Sequence, residues 1–291
     1  MTEFVSGLID VFAQAPLSGN PLAVVEDADG LDEAAMRRIA REFNQAETTF
    51  LMRSDRADWK LRSFTASGSE VFGAGHNALG AWLWLGYRGR LGDLATATTF
   101  RQEIGADVLP IVLEMREGRL HGRMRQAPLK LSPPLAELGP LAQALGLTPG
   151  DLLADPPPRA ADTGAAHLMV RARDRGSVDR AEPLAERLVK VLGPAGAEGC
   201  YLYAFDDAAP GEAYARFFNP TVGLWEDSAT GTAAGPLAAY LGALGRLGAD
   251  KALTLEQGVR MGRPSFLRVR LTPDPELSGS GVISFEGRLR V

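Results

Sequence analysis

One cysteine, Cys200, in 291 residues leaves no intramolecular disulfide and no thiolate metal cage within reach. The three histidines, His76, His121 and His167, stand too far apart to read as a metal-ligand motif, so no metal is expected. A surplus of positive charge is missing too. With 31 Lys and Arg against 36 Asp and Glu the formal net charge is −5, which argues against nucleic acid and anionic membranes as partners. The apolar runs stop at helix-core length, short of the roughly 20 residues of a membrane span. Glu3 and Asp10 stand where a secretory leader would carry its basic segment. These absences together point to a soluble cytoplasmic protein.

What is present is globular. Hydrophobic residues make up 45% and charged residues 23%, values that exclude a disordered chain, and the length favours two domains over one core. The chain is organised around Glu226-Asp227-Ser228-Ala229-Thr230-Gly231-Thr232, which runs into the apolar segment Leu237 to Leu244. Gly231 lets backbone approach a ligand closely, and the free N–H groups of a helix start attract an anion. Asp227 would stand beside that anion site, where a proton-transfer group is useful. Pro236 argues that the helix begins near Gly235 rather than at Thr232, because a helix interior cannot use its missing N–H.

An echo of this arrangement lies upstream. Gly75-His76-Asn77-Ala78 matches Gly231-Thr232-Ala233-Ala234, each after a Phe-then-Gly segment (Phe64…Gly68 and Phe218…Gly223) and each leading into an apolar helix. The segment from His76 to Leu85 is apolar on nearly every side and must be buried on every side. His76, at its mouth, reads by itself as a capping histidine. Two similarly built halves follow, each burying one central helix.

The remaining segments fill in around these helices. Val5 to Ala13 and Leu22 to Val25 read as strands joined by the turn Ser18-Gly19-Asn20-Pro21. Asp32 caps an amphipathic helix over 33 to 43, and Asn44 ends it. Gln45 to Leu51 and Trp59 to Phe64 follow as strands, with Glu47 on the face of Leu51; taken alone, Glu47 is a solvated strand carboxylate. Ile111 to Met115 and Leu120 to Met124 flank a hairpin turn at Glu117-Gly118. Gln126 to Pro134, with three prolines, reads as the linker. Pro140 to Leu147 and Ala181 to Leu192 are expected as helices, Val170 to Arg180 as solvated surface, and Cys200 as a buried, inert thiol in a strand. Leu253 to Gly258, Ser265 to Leu271 and Val282 to Val291 are the closing strands.

Taken together, Ser18-Gly19-Asn20-Pro21, Ala40-Arg41-Glu42-Phe43-Asn44 running to Glu47-Thr48-Thr49-Phe50, Glu70-Val71, Gly75-His76, Glu226 to Ala233, Gln257-Gly258 and Gly262-Arg263-Pro264-Ser265 resemble, in order and across nearly the whole chain, the PhzF-like family of phenazine biosynthesis. The resemblance implies the diaminopimelate epimerase-like fold: α/β (α+β), two similar domains, each a mixed sheet wrapped around a central helix. The halves would be 1–125, completed by the strand 282–291, and 126–281. It also implies a cofactor-independent isomerase that moves a proton on a small carboxylate-bearing metabolite in the inter-domain cleft, working as a homodimer. Glu47 is then the proton-moving residue, with His76 and Asp227 beside it. Asn20, Gly75, Asn77, Gly231 and the Thr232 hydroxyl would hold the substrate.

The sequence departs from the family pattern at Ala74, where cysteine is frequent, at Asn77, where a small apolar residue is usual, and at Thr232, where serine is usual. These departures bear on substrate more than on fold. With Cys200 outside both helix-start motifs, the two-thiol racemisation of related epimerases is excluded. A rival reading keeps the scaffold without turnover, as a metabolite-binding or sensor protein.

Overall fold

The computed structural model describes residues 1–222 and 224–291, so the Gly223 end of the Phe218…Gly223 segment lies outside the described residues. The chain divides into two compact units, Met1–Arg125 with Ser278–Val291, and Gln126–Leu277.

In the first unit, β1 (Glu3–Val11) and β2 (Asn20–Val25) form an antiparallel hairpin. Helix α1 (Glu33–Phe43) starts where the Asp32 carboxylate accepts the Ala35 N–H at 2.7 Å and stops at Asn44, which sits in the left-handed region at φ 51°. Its buried side chains, Met36, Ile39 and Ala40, pack with Phe50 and Phe64. Strand β3 (Glu47–Met52) runs parallel to β2 and antiparallel to β4 (Trp59–Thr65). A short β5 (Glu70–Val71) pairs with β4 and leads into α2 (His76–Tyr87). Strand β6 (Thr98–Ile104) lies parallel to β4, and β7 (Asp107–Arg116) and β8 (Arg119–Arg125) continue antiparallel. Glu117 and Gly118 both have positive φ, as a two-residue hairpin turn requires.

Helix α2 is buried from His76 to Leu85 and touches β1, β2, β3, β4, β7 and β8, so the sheet wraps around it. Trp82 and Trp84 are fully buried, and each indole N–H is satisfied, by Gln102 Oε1 at 3.0 Å and Glu26 Oε1 at 2.8 Å. Burying side chains of this size contributes roughly 1.5–3 kcal/mol each. That is why a helix with no polar face is held here.

The second unit contains β9 (Lys130–Leu131), α3 (Gly139–Ala144), β10 (Arg159–Asp162), β11 (Ala166–Arg171), α4 (Arg175–Arg180) and α5 (Ala185–Ala195). It goes on through β12 (Gly199–Phe205), β13 (Glu212–Asn219), β14 (Leu224–Asp227), α6 (Gly231–Ala243), β15 (Ala252–Gln257) and β16 (Ser265–Leu271). The pairings β10–β11 antiparallel, β11–β12 parallel, β12–β13 antiparallel, β13–β15 parallel and β15–β16 antiparallel repeat those of β1 through β7 in the first unit. Helix α6 takes the place of α2, against β10, β11, β15 and β16. The last strand, β17 (Pro275–Arg290), carries the chain back: from Gly281 to Arg290 it pairs antiparallel with β1. The architecture is mixed α/β, two similarly built halves, each with a sheet about a central helix.

Four local expectations are overturned. Helix α6 starts at Gly231, not Gly235, and carries Pro236 inside it. A proline in a helix interior costs about 3 kcal/mol, but ten of the helix residues, from Gly231 to Leu241, are buried, and their packing outweighs the lost bond. Gln126 to Pro134 is no bare linker. It holds β9, and the Gln126 side chain donates to the Gly231 carbonyl at 2.9 Å and accepts from Thr163 Oγ1 at 2.7 Å. The stretch from Val170 to Arg180 is only partly solvated. Arg171 is buried because its guanidinium finds the carbonyls of Phe205 and Asp155 and the Asp207 carboxylate. Lastly, α2 is capped by Gly75 with no side-chain bond, so His76 is not a capping residue.

Candidate active site

Glu47 opens β3, paired with Leu22 of β2 and Thr65 of β4. Two residues on, and so on the same face, Thr49 bonds Ser63 at 2.8 Å, and Ser63 accepts from the Asn77 amide of α2 at 3.2 Å. The Glu47 face is therefore the α2 face. His76, the first residue of α2, places Nδ1 3.9 Å from Glu47 Oε2. Burial pushes the His76 imidazole down to about 4, so at neutral pH the pair is a carboxyl group beside a neutral ring, not an ion pair. His76 Nε2 is buried with no hydrogen-bond partner among the described residues.

The loop before α2 is braced from inside the helix. Asn77 Oδ1 accepts the Gly75 N–H at 2.8 Å, and its amide donates to the Gly73 carbonyl at 3.0 Å. The Asn77 side chain thus shapes the loop. The first intrahelical bond is Leu79 N–H to the Gly75 carbonyl, which leaves the N–H groups of His76, Asn77 and Ala78 upstream of the helical ladder. Asn20, at the start of β2, is buried at 1% exposure.

In the second unit Asp227 ends β14, buried at 8% exposure. Its Oδ2 accepts the Thr230 hydroxyl at 2.7 Å. Gln257 holds this corner. Its Nε2 donates to the Asp227 carbonyl at 2.8 Å and to Thr230 Oγ1 at 3.0 Å, while Oε1 accepts from Tyr201 at 2.9 Å and from the Thr230 N–H at 3.2 Å. Three of the four bonds of this buried amide converge on the Asp227–Thr230 turn, and the fourth ties it to Tyr201 of β12. Beside Gln257, Gly258 has φ 79°, and a Cβ there would lie 2.4 Å from the Arg263 carbonyl and 2.6 Å from that of Ser228. Glu226 faces elsewhere, in a bidentate pair at 2.8 Å with Arg216, which also donates to the Val178 and Ala181 carbonyls. Of the acidic pair, Asp227 belongs to the helix-start turn and Glu226 to the scaffold.

Thr230 caps α6, so Gly231 and Thr232 are its first two residues, and their N–H groups lie upstream of the first helical bonds, made by Ala233 and Ala234 to the Thr230 carbonyl. Thr232 Oγ1 lies 3.2 Å from Nε2 of His167, on β11. Within their own units, then, the structure brings Glu47, His76, Gly75 and Asn77 to one helix start, and Asp227, Gly231 and Thr232 to the other. Sequence reasoning missed two members. Gln257 was visible as part of a motif without a role, and His167 had no signal beyond being one of three histidines.

Residues 9–287 match the family model described as phenazine biosynthesis-like protein, PhzC-PhzF. The chain belongs to this family. The trans-2,3-dihydro-3-hydroxyanthranilate isomerase of Pseudomonas aeruginosa is 32% identical over 289 residues, covering 97% of each chain. The crystal structure of a PhzF-family phenazine biosynthesis protein from Bacillus anthracis superposes with a TM-score of 0.90 at 28% identity, covering all of both chains. A hydroxyproline epimerase from Agrobacterium vitis shares the fold, at a TM-score of 0.66 and 14% identity over 99% of this chain and 91% of its own. As a PhzF-like protein, the chain is an enzyme of the isomerase class. Among the described residues no helix is long and apolar enough to cross a membrane.

Proposed function

We propose that this PhzF-like isomerase shifts a proton within a small carboxylate-bearing metabolite by general acid–base catalysis, without a cofactor, and that Glu47 is the group that carries the proton. The reading rests on one observation above others: Glu47 stands 3.9 Å from a neutral, buried imidazole at the open start of α2. As a carboxylate, Glu47 takes a proton from a carbon adjacent to an unsaturated system. The C–H electron pair moves into that system and the double bond migrates. Glu47, now a carboxylic acid, returns the proton to the far carbon, so atoms and electrons balance with no redox partner. His76 offers Nε2 to orient the substrate or relay the proton.

In this reading one ligand is held jointly by the two halves, in the inter-domain cleft. The free N–H groups at the starts of α2 and α6, after Gly75 and Gly231, and the Thr232 hydroxyl take its carboxylate or the developing enolate charge. Asp227 and Asn20 orient it, and Asn77 contributes by shaping the Gly73–Gly75 loop. Each half, 1–125 with the closing strand and 126–281, supplies one helix start. The Pseudomonas aeruginosa relative acts on trans-2,3-dihydro-3-hydroxyanthranilate, an amino-substituted ring carboxylate, which makes that compound the first candidate. We infer in addition a homodimer in the cytoplasm; light scattering at micromolar concentration giving the mass of one chain overturns the dimer.

The decisive experiment follows solvent deuterium entering the substrate by NMR. Glu47→Gln should slow incorporation by about 10²–10⁴-fold with folding intact. Incorporation at the wild-type rate in that variant sinks the proposal.

A further inference from the structure

His167 stands outside every motif of the family resemblance, yet it touches the start of α6. Its Nε2 lies 3.2 Å from Thr232 Oγ1, the ring is 2% exposed, and it packs edge-on against Phe217 with centroids 4.9 Å apart. Room for Phe217 comes from Gly199: a Cβ there would fall 2.5 Å from the Phe217 ring. Gly199 pairs with His167 across β11 and β12, as Glu47 pairs with Leu22 across β2 and β3. The two halves therefore differ in one respect at equivalent positions. In the first, β3 presents a carboxyl group to the helix start. In the second, that place is a bare glycine, and the neighbouring strand supplies an imidazole.

The hydrogen-bonding partners decide how the imidazole is used. Its other nitrogen, Nδ1, is buried and has no partner among the described residues. A neutral imidazole carries one N–H and one lone pair. If the hydrogen were on Nδ1, a buried N–H would be orphaned, the rarer and costlier fault. With the hydrogen on Nε2 only a lone pair is left over, and Nε2–H donates to Thr232 Oγ1. The threonine oxygen then accepts, which leaves its own O–H to be given away. Thr232 is only partly buried, so that hydrogen can reach a ligand.

We propose that His167 is a positioning residue for the substrate: its Nε2–H is donated to Thr232 Oγ1 and so commits the Thr232 hydroxyl to donate to a substrate carboxylate oxygen. The ring is held neutral by the same burial that keeps water from competing for the bond. The inference rests on the proposed role of the α6 start in binding a carboxylate.

The test uses the full-length protein and two readouts. Long-range 15N–1H spectra of the imidazoles at pH 7 should show His167 protonated on Nε2, and Thr232→Val should shift that signal; a proton on Nδ1 overturns the proposal. Anthranilate, an unreactive ring carboxylate, is then titrated while the backbone amide at position 232 is followed. Thr232→Val and His167→Phe should each weaken its binding by about 10- to 100-fold, the range of one hydrogen bond to a charged group. The double variant should lose no more than the larger single effect, and His167→Gln, which returns a donor at similar reach, should recover most of the loss. Additive losses, equal binding by all variants, or no binding to the wild type each overturn it. Should His167→Phe fail to fold, Thr232→Val and His167→Gln carry the test alone. Failure of the underlying reading shows separately, as wild-type deuterium incorporation in Glu47→Gln.

Discussion

Burial pushes the imidazoles of His76 and His167 down to about 4 from an ordinary value near 6.5. The sign of the consequence follows from proton counting. Between those two values the unfolded chain binds protons that the folded chain refuses, so stability falls as pH drops from about 6.5 toward 4 and is fully present above about 7. Each ring should cost about 2 kcal/mol between pH 7 and pH 5 by this linkage. Urea unfolding at the two pH values, wild type beside His76→Gln, checks it: the variant should lose roughly half of the imidazole-dependent slope. An unchanged slope would place the His76 ring in contact with water. In the proposed reaction a protonated His76 would hold Glu47 as a carboxylate by attraction, a restraint that the neutral ring does not impose. Little of this was legible in the sequence. Glu47 shares a strand face with Leu51 and reads as a solvated carboxylate until the family motif is seen; only the structure shows that this face is the one α2 covers.

Helix α1 is an element whose limits the residues announce, because Asp32 and Asn44 act on their immediate neighbours. Helix α6 is not, since what tolerates Pro236 is packing from β10, β11, β15 and β16, all distant in sequence. Strand β6 was invisible for a similar reason. Its Glu103 is buried beside Ser54 and Lys60, which come from distant positions in the chain, and bonding to Ser54 holds its carboxyl below the usual range. The turn after β15 offers a test at this scale. Gly258→Ala must place a Cβ against two carbonyls at a positive φ, and should cost about 2 kcal/mol or more. Thermal unfolding measures that cost. Because Gln257 would be displaced with it, Thr230 and Asp227 should lose their order, and turnover should fall further than stability alone explains. A variant as stable as wild type would show that the Ser228 and Arg263 backbone can yield.

For the molecule as a whole, the echo between Gly75-His76 and Gly231-Thr232 was legible and led to two similar halves; the strand pairings repeat as that echo requires. The offset between them was not. His76 is the first residue of its helix and Thr232 the second of its own. A substrate or inhibitor that binds only the folded chain should raise the melting temperature in proportion to the logarithm of its concentration. A thermal-shift series with anthranilate, in wild type and Asp227→Asn, measures this. A smaller shift in the variant with an unchanged starting melting point would place Asp227 at the ligand; equal shifts would make it scaffold.

The path of β17 governs the order in which the molecule can be made. The second unit is one continuous stretch, but the first needs Ser278–Val291 to pair with the outer edge of β1. During synthesis, residues 1–125 emerge first yet must wait, with β1 lacking that partner, while the whole of 126–277 is translated and is free to fold. The first unit is thereby expected to mature last, against the usual amino-to-carboxyl order. Ribosome-bound chains ending at Leu277 and extended by an unrelated linker long enough to clear the exit tunnel should show protease protection over 126–277 and cleavage within 1–125. Protection of both segments in such chains would mean that the early half matures without its final strand.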